Sequence, residues 1–264
     1  MIAWERSLLF DDDAMSAKPL IIGHRGASYD APENTLAAFR LAFEQGADGI
    51  EGDFDMTADD EVVCFHDRTA QRTAGVDRLI ASMSLEEIRQ LDVGSWKGKA
   101  FANERVPTLG EVIEWLPAGK VFFVEIKSGG AILPALERVL ANHHDRLADL
   151  RFICFDDETI AAIKRAFPAV KAFWLTSFQQ QADGQITPSP EAVVAKVKEL
   201  KVDGVDADSN LYRHHPDLIA AMHNNGFESH TWTVDDPVFA RELVELGIDS
   251  ITTNRPAFIR KSMA

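Results

Sequence analysis

A chain of 264 residues that is 46% hydrophobic can bury a large core, yet no stretch approaches the roughly 18 uncharged apolar residues that a membrane span requires. A formal net charge of −15 argues against non-specific binding to nucleic acid and against stable association with anionic membranes, because both need excess Lys and Arg. Any anionic substrate must therefore meet local positive charge, supplied by particular side chains or by a metal ion.

Residues 1–18 read as an N-terminal extension. Asp11-Asp12-Asp13 stands where a signal peptide would carry its apolar stretch, and Met15 offers an alternative start, so the expected location is cytoplasmic. From residue 19 to 264, short apolar runs alternate with amphipathic segments, the signature of repeated βα units and a parallel sheet. The runs are Leu20–His24, Gly49–Asp55, Val121–Lys127, Arg151–Phe155, Val170–Leu175, Gly204–Asp208, Glu228–Val234 and Ser250–Thr253. Between them, helices are predicted at Asn34–Gln45, Leu133–His143, Asp157–Phe167, Pro190–Leu200, Pro216–Asn225 and Pro237–Leu246. Pro190, Pro216 and Pro237 mark helix starts, and Gly46, Gly226 and Gly247 mark helix ends. Eight strands with intervening helices predict a single-domain TIM (β/α)8 barrel; the alternative, an open doubly wound sheet, lacks its usual glycine-rich phosphate loop.

One interval breaks the rhythm. From about residue 67 to 119 no strand of the main series is expected, only the pattern Ser84–Leu91, a Gly-rich stretch Gly94–Gly98 and a helix near Thr108–Trp115. This reads as a small insertion after the second barrel strand, over one mouth of the barrel. Trp96 and Phe101 either shield a site there or pack the insertion down. Cys64 and Cys154 are the only cysteines, each within an apolar run, and read as buried structural thiols.

Polar clusters close the strands. Glu51 and Asp53 alternate onto one face with Cα atoms about 6–7 Å apart, close enough to share one cation. Hard oxygen donors favour Mg²⁺, Ca²⁺ or Mn²⁺ over zinc, and two solvated loop acids are the competing reading. Glu125 and Lys127 repeat the spacing at the next strand end, so Glu125 would complete a three-carboxylate set. Lys127 would then hold a phosphate oxygen or form a structural salt bridge. His24 and His66 each end an apolar run and can form an acid and base pair. Arg25 supplies a fork-shaped phosphate donor and Asp67 can orient His66. His143, His144, His214, His215 and His223 fall on helices or their ends and read as solvated, whereas His230 and Trp232 share a strand face toward the barrel interior.

Taken in order, His24-Arg25-Gly26, Ala31-Pro32-Glu33-Asn34-Thr35, Glu51-Gly52-Asp53, His66-Asp67, Pro107-Thr108-Leu109, Glu125-Ile126-Lys127, Trp232-Thr233-Val234 and Gly247-Ile248-Asp249 span nearly the whole chain. In these motifs the chain resembles the glycerophosphodiester phosphodiesterase family. The resemblance implies a TIM-type barrel that hydrolyses glycerophosphodiesters to an alcohol and sn-glycerol 3-phosphate. It also implies one divalent cation, Mg²⁺ before Ca²⁺ or Mn²⁺, on Glu51, Asp53 and Glu125. His24 and His66 would be acid and base, Arg25 and Lys127 phosphate contacts, and Trp232 the border of a glycerol pocket. The chain departs from the pattern at Gly52, usually bulky, at Ile153-Cys154-Phe155, where a serine is expected, and at Thr252-Thr253-Asn254, which replaces a terminal acid. The attacking oxygen would be water or the neighbouring glycerol hydroxyl. Two rival readings are a phospholipase D-like or phosphoinositide-cleaving enzyme acting on lipid and a non-catalytic barrel that binds phosphorylated ligands; the oligomeric state is not legible.

Overall fold

The computed structural model describes residues 18–263, so the expected N-terminal extension, Lys18 apart, lies outside the described residues. The barrel strands are β1 (Leu20–Gly23), β2 (Gly49–Met56), β3 (Val121–Ile126), β4 (Leu150–Cys154), β5 (Lys171–Thr176), β6 (Gly204–Asp208), β7 (Glu228–Trp232) and β8 (Ser250–Thr253). All neighbours are parallel. The ring closes where β8 pairs with β1, from Leu20↔Ser250 to Gly23↔Thr253. The fold is the (β/α)8 barrel the alternation predicts, and closure excludes the doubly wound sheet. Strand ends depart from the apolar runs by at most two residues, the largest difference being at β7, which stops at Trp232 instead of Val234.

Helices form where apolar spacing and caps coincide. Leu36–Glu44 buries Ala38, Phe39 and Ala42 against the barrel, and the Thr35 hydroxyl accepts from the Ala38 amide. Asp157–Ala166 is capped by Asp156, with acids in its first turn and Lys164 and Arg165 in its last, matching the helix dipole at both ends. Pro190 and Pro237 open their helices as expected. Pro216 does not: that helix runs only from Leu218 to His223, and Asp217 precedes it. Three α-helices among the described residues lie outside the predicted ones, Ser209–His214, Gln71–Ala74 and Pro256–Ser262. Asp208 ends β6 and caps the first of these at once, leaving no linker to signal a boundary.

Hydrophobic packing divides into three regions. The largest lies between strands and outer helices; a second fills the barrel with Ile22, Phe123, Ile153, Phe173 and Leu175. His230 belongs to this interior, its ring edge-on to Phe173 at 4.2 Å between centroids and its Nδ1 2.8 Å from the Ser250 hydroxyl. The third lies in the segment between β2 and β3. There Val62–Cys64 turns back antiparallel to the end of β2, and Val63, Phe65, Ile80, Ile88, Leu91 and Val106 form a small core of their own. Beside this core Trp96, itself exposed, donates from Nε1 to the Val93 carbonyl, and Lys97 reaches the Ser28 carbonyl at 2.6 Å, tying this segment to the loop after β1. Cys64 and Cys154 are buried free thiols. No helix among the described residues is long and apolar enough to cross a membrane.

The loop after β1 turns tightly, with Arg25 at φ 54° and Gly26 at φ 83°. A Cβ on Gly26 would lie 2.5 Å from the Ala38 backbone carbon, so only glycine lets this loop rest on the first helix. Gly26→Ala is expected to cost about 2–5 kcal/mol from strain and overlap together. The check is the urea midpoint, and an unchanged midpoint would contradict the packing described.

Candidate active site

The polar groups converge at the C-terminal ends of the strands, where a rigid sheet holds them and loops close around them. On β2, Glu51 and Asp53 point inward while Gly52 faces the outer layer, where a Cβ would meet the Phe39 ring at 3.1 Å and the Cys64 sulfur at 3.2 Å. The missing bulk at Gly52 therefore concerns the outer packing and leaves the cavity unchanged. Asp53 is register partner to Glu125 on β3, which sets the two carboxylates side by side. Glu51, Asp53 and Glu125 each offer an oxygen within 4.8 Å of the others.

This acidic cluster is incompletely neutralised. Arg25 Nε lies 3.1 Å from Asp53 Oδ2, and its backbone amide donates to Glu51 Oε2 at 2.9 Å. Lys127 Nζ donates to Glu125 Oε1 at 2.7 Å and lies 3.5 Å from Asp53 Oδ1. Lys127 thus forms the ion pair of the competing reading while still lining the cavity. Three carboxylates face two cations, and Glu51 Oε1 and Asp53 Oδ1 are buried with no hydrogen-bond partner. Burial pushes the Glu51 carboxyl well above the usual range, and the charges of Asp53 and Glu125 push it further. Burial and then Asp53 raise Glu125 to about 7. Asp53 goes the other way: burial is outweighed by Arg25, Lys127 and His66, which hold it down at about 2. Buried, converging, unpartnered oxygens of this kind suit one divalent ion, whose charge would replace the protons that Glu51 and Glu125 otherwise retain.

The histidines flank this cluster from two loops. His24 Nδ1 contacts Asn254 Oδ1 at 2.7 Å, and its Nε2 lies 4.0 Å from Glu51 Oε2. Burial, then the neighbouring Arg25 charge, lower His24 to about 4, so its imidazole is neutral at neutral pH. His66 Nδ1 contacts Asp67 Oδ1 at 2.7 Å, the orientation expected from their adjacency. The Arg72 hydrogen bond, outweighing burial, holds Asp67 at about 2. The cavity, about 130 Å³, is lined by His24, Arg25, Glu51, His66, Glu125 and Lys127 on its polar side and by Ile153, Phe155, Leu175 and Trp232 on its apolar side. Phe155 meets the Trp232 ring edge-on at 5.7 Å. Neither His230, Trp96 nor Phe101 is among the cavity's lining residues.

Several participants were not singled out from the sequence. Asn34 grips Asp53 twice, donating from Nδ2 to Oδ2 at 2.9 Å and accepting from the Asp53 amide at 3.2 Å. Arg72 bridges Glu33 and Asp67 with hydrogen bonds of 2.7–3.1 Å, and Glu33 in turn accepts from Arg25 at 3.0 Å. Asp206 and Thr252 also line the cavity, and each has a buried oxygen without a partner. Burial, then Glu125, raise the Asp206 carboxyl well above its ordinary range. Its alternation with Asp208 in β6, the same i, i+2 pattern as Glu51 and Asp53, is a signal that could have found it.

Residues 24–258 match the model of the glycerophosphoryl diester phosphodiesterase family. The chain belongs to this family. As a member of the glycerophosphoryl diester phosphodiesterase family it is a phosphoric diester hydrolase. Over 247 residues it is 34% identical to a glycerophosphodiester phosphodiesterase of Caldanaerobacter subterraneus subsp. tengcongensis, covering 90% of this chain and 95% of that one. Among solved structures, an Oleispira antarctica phosphodiesterase in complex with the product sn-glycerol-3-phosphate superposes with a TM-score of 0.81 at 30% identity, covering 93% of this chain and 97% of that one. A glycerophosphodiester phosphodiesterase from Agrobacterium tumefaciens superposes with a TM-score of 0.75 at 28% identity, covering 93% of this chain and all of that one.

Proposed function

We propose that this member of the family hydrolyses soluble glycerophosphodiesters to an alcohol and sn-glycerol 3-phosphate, using one divalent cation and two histidines. The observation that carries the reading is the convergence of Glu51, Asp53 and Glu125 beside His24, His66, Arg25 and Lys127 around a single cavity. The Oleispira relative, solved with sn-glycerol-3-phosphate, supports the choice of product.

Glu51, Asp53 and Glu125 would hold the ion; Mg²⁺ leads, and Ca²⁺ or Mn²⁺ suit the same oxygen donors. When bound, the ion supplies positive charge to a phosphoryl oxygen and lowers the pKa of an attacking oxygen. The Arg25 guanidinium and Lys127 ammonium share the remaining phosphoryl charge in a cavity walled on one side by apolar side chains, which strengthens such contacts. One imidazole takes the proton of the attacking oxygen and the other gives a proton to the departing alkoxide. The apolar wall of Ile153, Phe155, Leu175 and Trp232 packs against carbon, so Trp232 borders the glycerol unit while the ionic side holds phosphate. We place the enzyme in the cytoplasm, a reading supported by its two buried free thiols.

The test is release of sn-glycerol 3-phosphate by purified protein with Mg²⁺, comparing glycerophosphocholine, glycerophosphoethanolamine and glycerophosphoinositol with micellar phospholipid. Turnover of at least one soluble diester, faster than of the lipid, is the expected result. Faster cleavage of lipid would favour a phospholipase-type reading, and no product with any substrate or metal would leave only ligand binding.

A further inference from the structure

The structure assigns Asn254 as the residue that positions His24, holding its ring with the proton on Nδ1 and the Nε2 lone pair free toward the cavity. This inference rests on the reading of His24 as a catalytic residue, but its structural part can be tested without turnover. The hydrogen-bond chain begins at Asp235, in the loop after β7. Its carboxylate accepts from the Thr253 hydroxyl at 2.7 Å, from the Asn254 amide N–H at 2.9 Å and from Asn254 Nδ2 at 2.6 Å. A carboxylate accepts and does not donate, so the NH₂ end of the Asn254 side chain must face Asp235. The carbonyl end, Oδ1, is thereby turned to the opposite side, where it lies 2.7 Å from His24 Nδ1 and 2.9 Å from the Ser28 hydroxyl.

An amide oxygen also accepts only, so the proton of the His24–Asn254 bond belongs to His24 Nδ1. The other ring nitrogen then carries the lone pair, and it is the one on the Glu51 side, 4.0 Å from Oε2. His66 is backed differently, by the Asp67 carboxylate at 2.7 Å, itself held by Arg72. The two imidazoles are thus set up by unlike partners, a neutral amide for His24 and a carboxylate for His66. His24 is prepared to take the proton from the attacking oxygen; the bond broken is that O–H and the bond formed is Nε2–H. Asn254 is not among the cavity's lining residues, and acts through His24. An acid at residue 254 would instead set a carboxylate against Asp235, which explains why an amide suits this chain.

The experiment combines nitrogen NMR of histidine-labelled protein in Mg²⁺ buffer with steady-state kinetics, the His24 signals being assigned by their loss in His24→Gln. In the wild type, His24 is expected to show a protonated Nδ1 and an unprotonated Nε2. Asn254→Leu is expected to lose that preference and about 10- to 100-fold in kcat, with KM changed less than about twofold. Asn254→Asp should also be impaired. The exchange Asn254→Asp with Asp235→Asn restores a donor facing an acceptor at each contact, and should recover both the Nδ1–H signature and most of kcat. A wild-type His24 protonated on Nε2 would overturn the inference, as would an exchanged variant no better than Asn254→Asp alone. Should Asn254→Leu fail to fold, the wild-type spectrum and the exchange still decide. If wild-type protein shows the expected tautomer but no hydrolysis, the failure lies with the proposed reaction and the positioning role is overturned with it, while the hydrogen-bond assignment stands.

Discussion

Stripping divalent ions from the purified protein is expected to reduce glycerophosphodiester hydrolysis by about 10³-fold or more, with activity restored by Mg²⁺. Loss of charge stabilisation worth several kcal/mol corresponds to a rate effect of that order. The same treatment should lower thermal stability. Glu51 and Asp53 are 3% and 0% exposed and lie in one cluster with Glu125, so their mutual repulsion falls on the folded state alone. An ion present at about 100 times its dissociation constant contributes about 2.7 kcal/mol, which for a barrel of this length is a rise of about 5–10 °C in Tm. The pH dependence has a definite sign. Burial and Asp53 raise Glu125 to about 7, so ion and proton compete for that oxygen, and the apparent ion affinity should strengthen as pH rises toward neutrality. Calorimetric titration at two pH values checks it; a Tm and a rate indifferent to chelation would show that the cluster does not hold a functional ion.

Replacing either histidine is the second large effect. His24→Ala and His66→Ala are each expected to lower kcat by about 10²- to 10⁴-fold, the usual contribution of a positioned acid or base. Neither side chain is part of the core, their exposures being 17% and 33%, so both variants should fold with Tm close to wild type. Because the two act on one proton inventory, the double variant should lose less than the product of the single losses. A reduction below about fivefold in either single variant, with folding intact, would remove that residue from the acid and base pair.

Much of the barrel was legible because its cause is local. An apolar run such as Val121-Phe122-Phe123-Val124, short, rich in aromatic and β-branched residues and preceded by Gly119, reads as a buried strand, and the polar residue that closes it falls at the strand end. That logic, applied at Glu51, Asp53 and Glu125, finds groups that the register of β2 and β3 brings side by side. Histidines were sorted by the same means: His223 is exposed as expected and also reaches Asp249 at 2.8 Å. What escaped was set by long-range geometry. Arg72 sits on a four-residue helix, and nothing in its neighbourhood reveals that it will join Glu33 to Asp67. Asn254 acquires meaning only when Asp235 turns its amide toward His24, a residue 230 positions away. Asp206 carries a local signal in its alternation with Asp208 along β6, but that spacing does not reveal that its carboxyl is left without a partner in the cavity wall.

The most direct test of the account is anomalous diffraction from crystals grown with Mn²⁺ and a non-hydrolysed glycerophosphodiester analogue. One manganese peak per chain is expected, bonded to carboxylate oxygens of Glu51, Asp53 and Glu125, with the analogue's phosphoryl group between His24 and His66. A peak held by other residues, or a phosphoryl group bound away from both imidazoles, would contradict it.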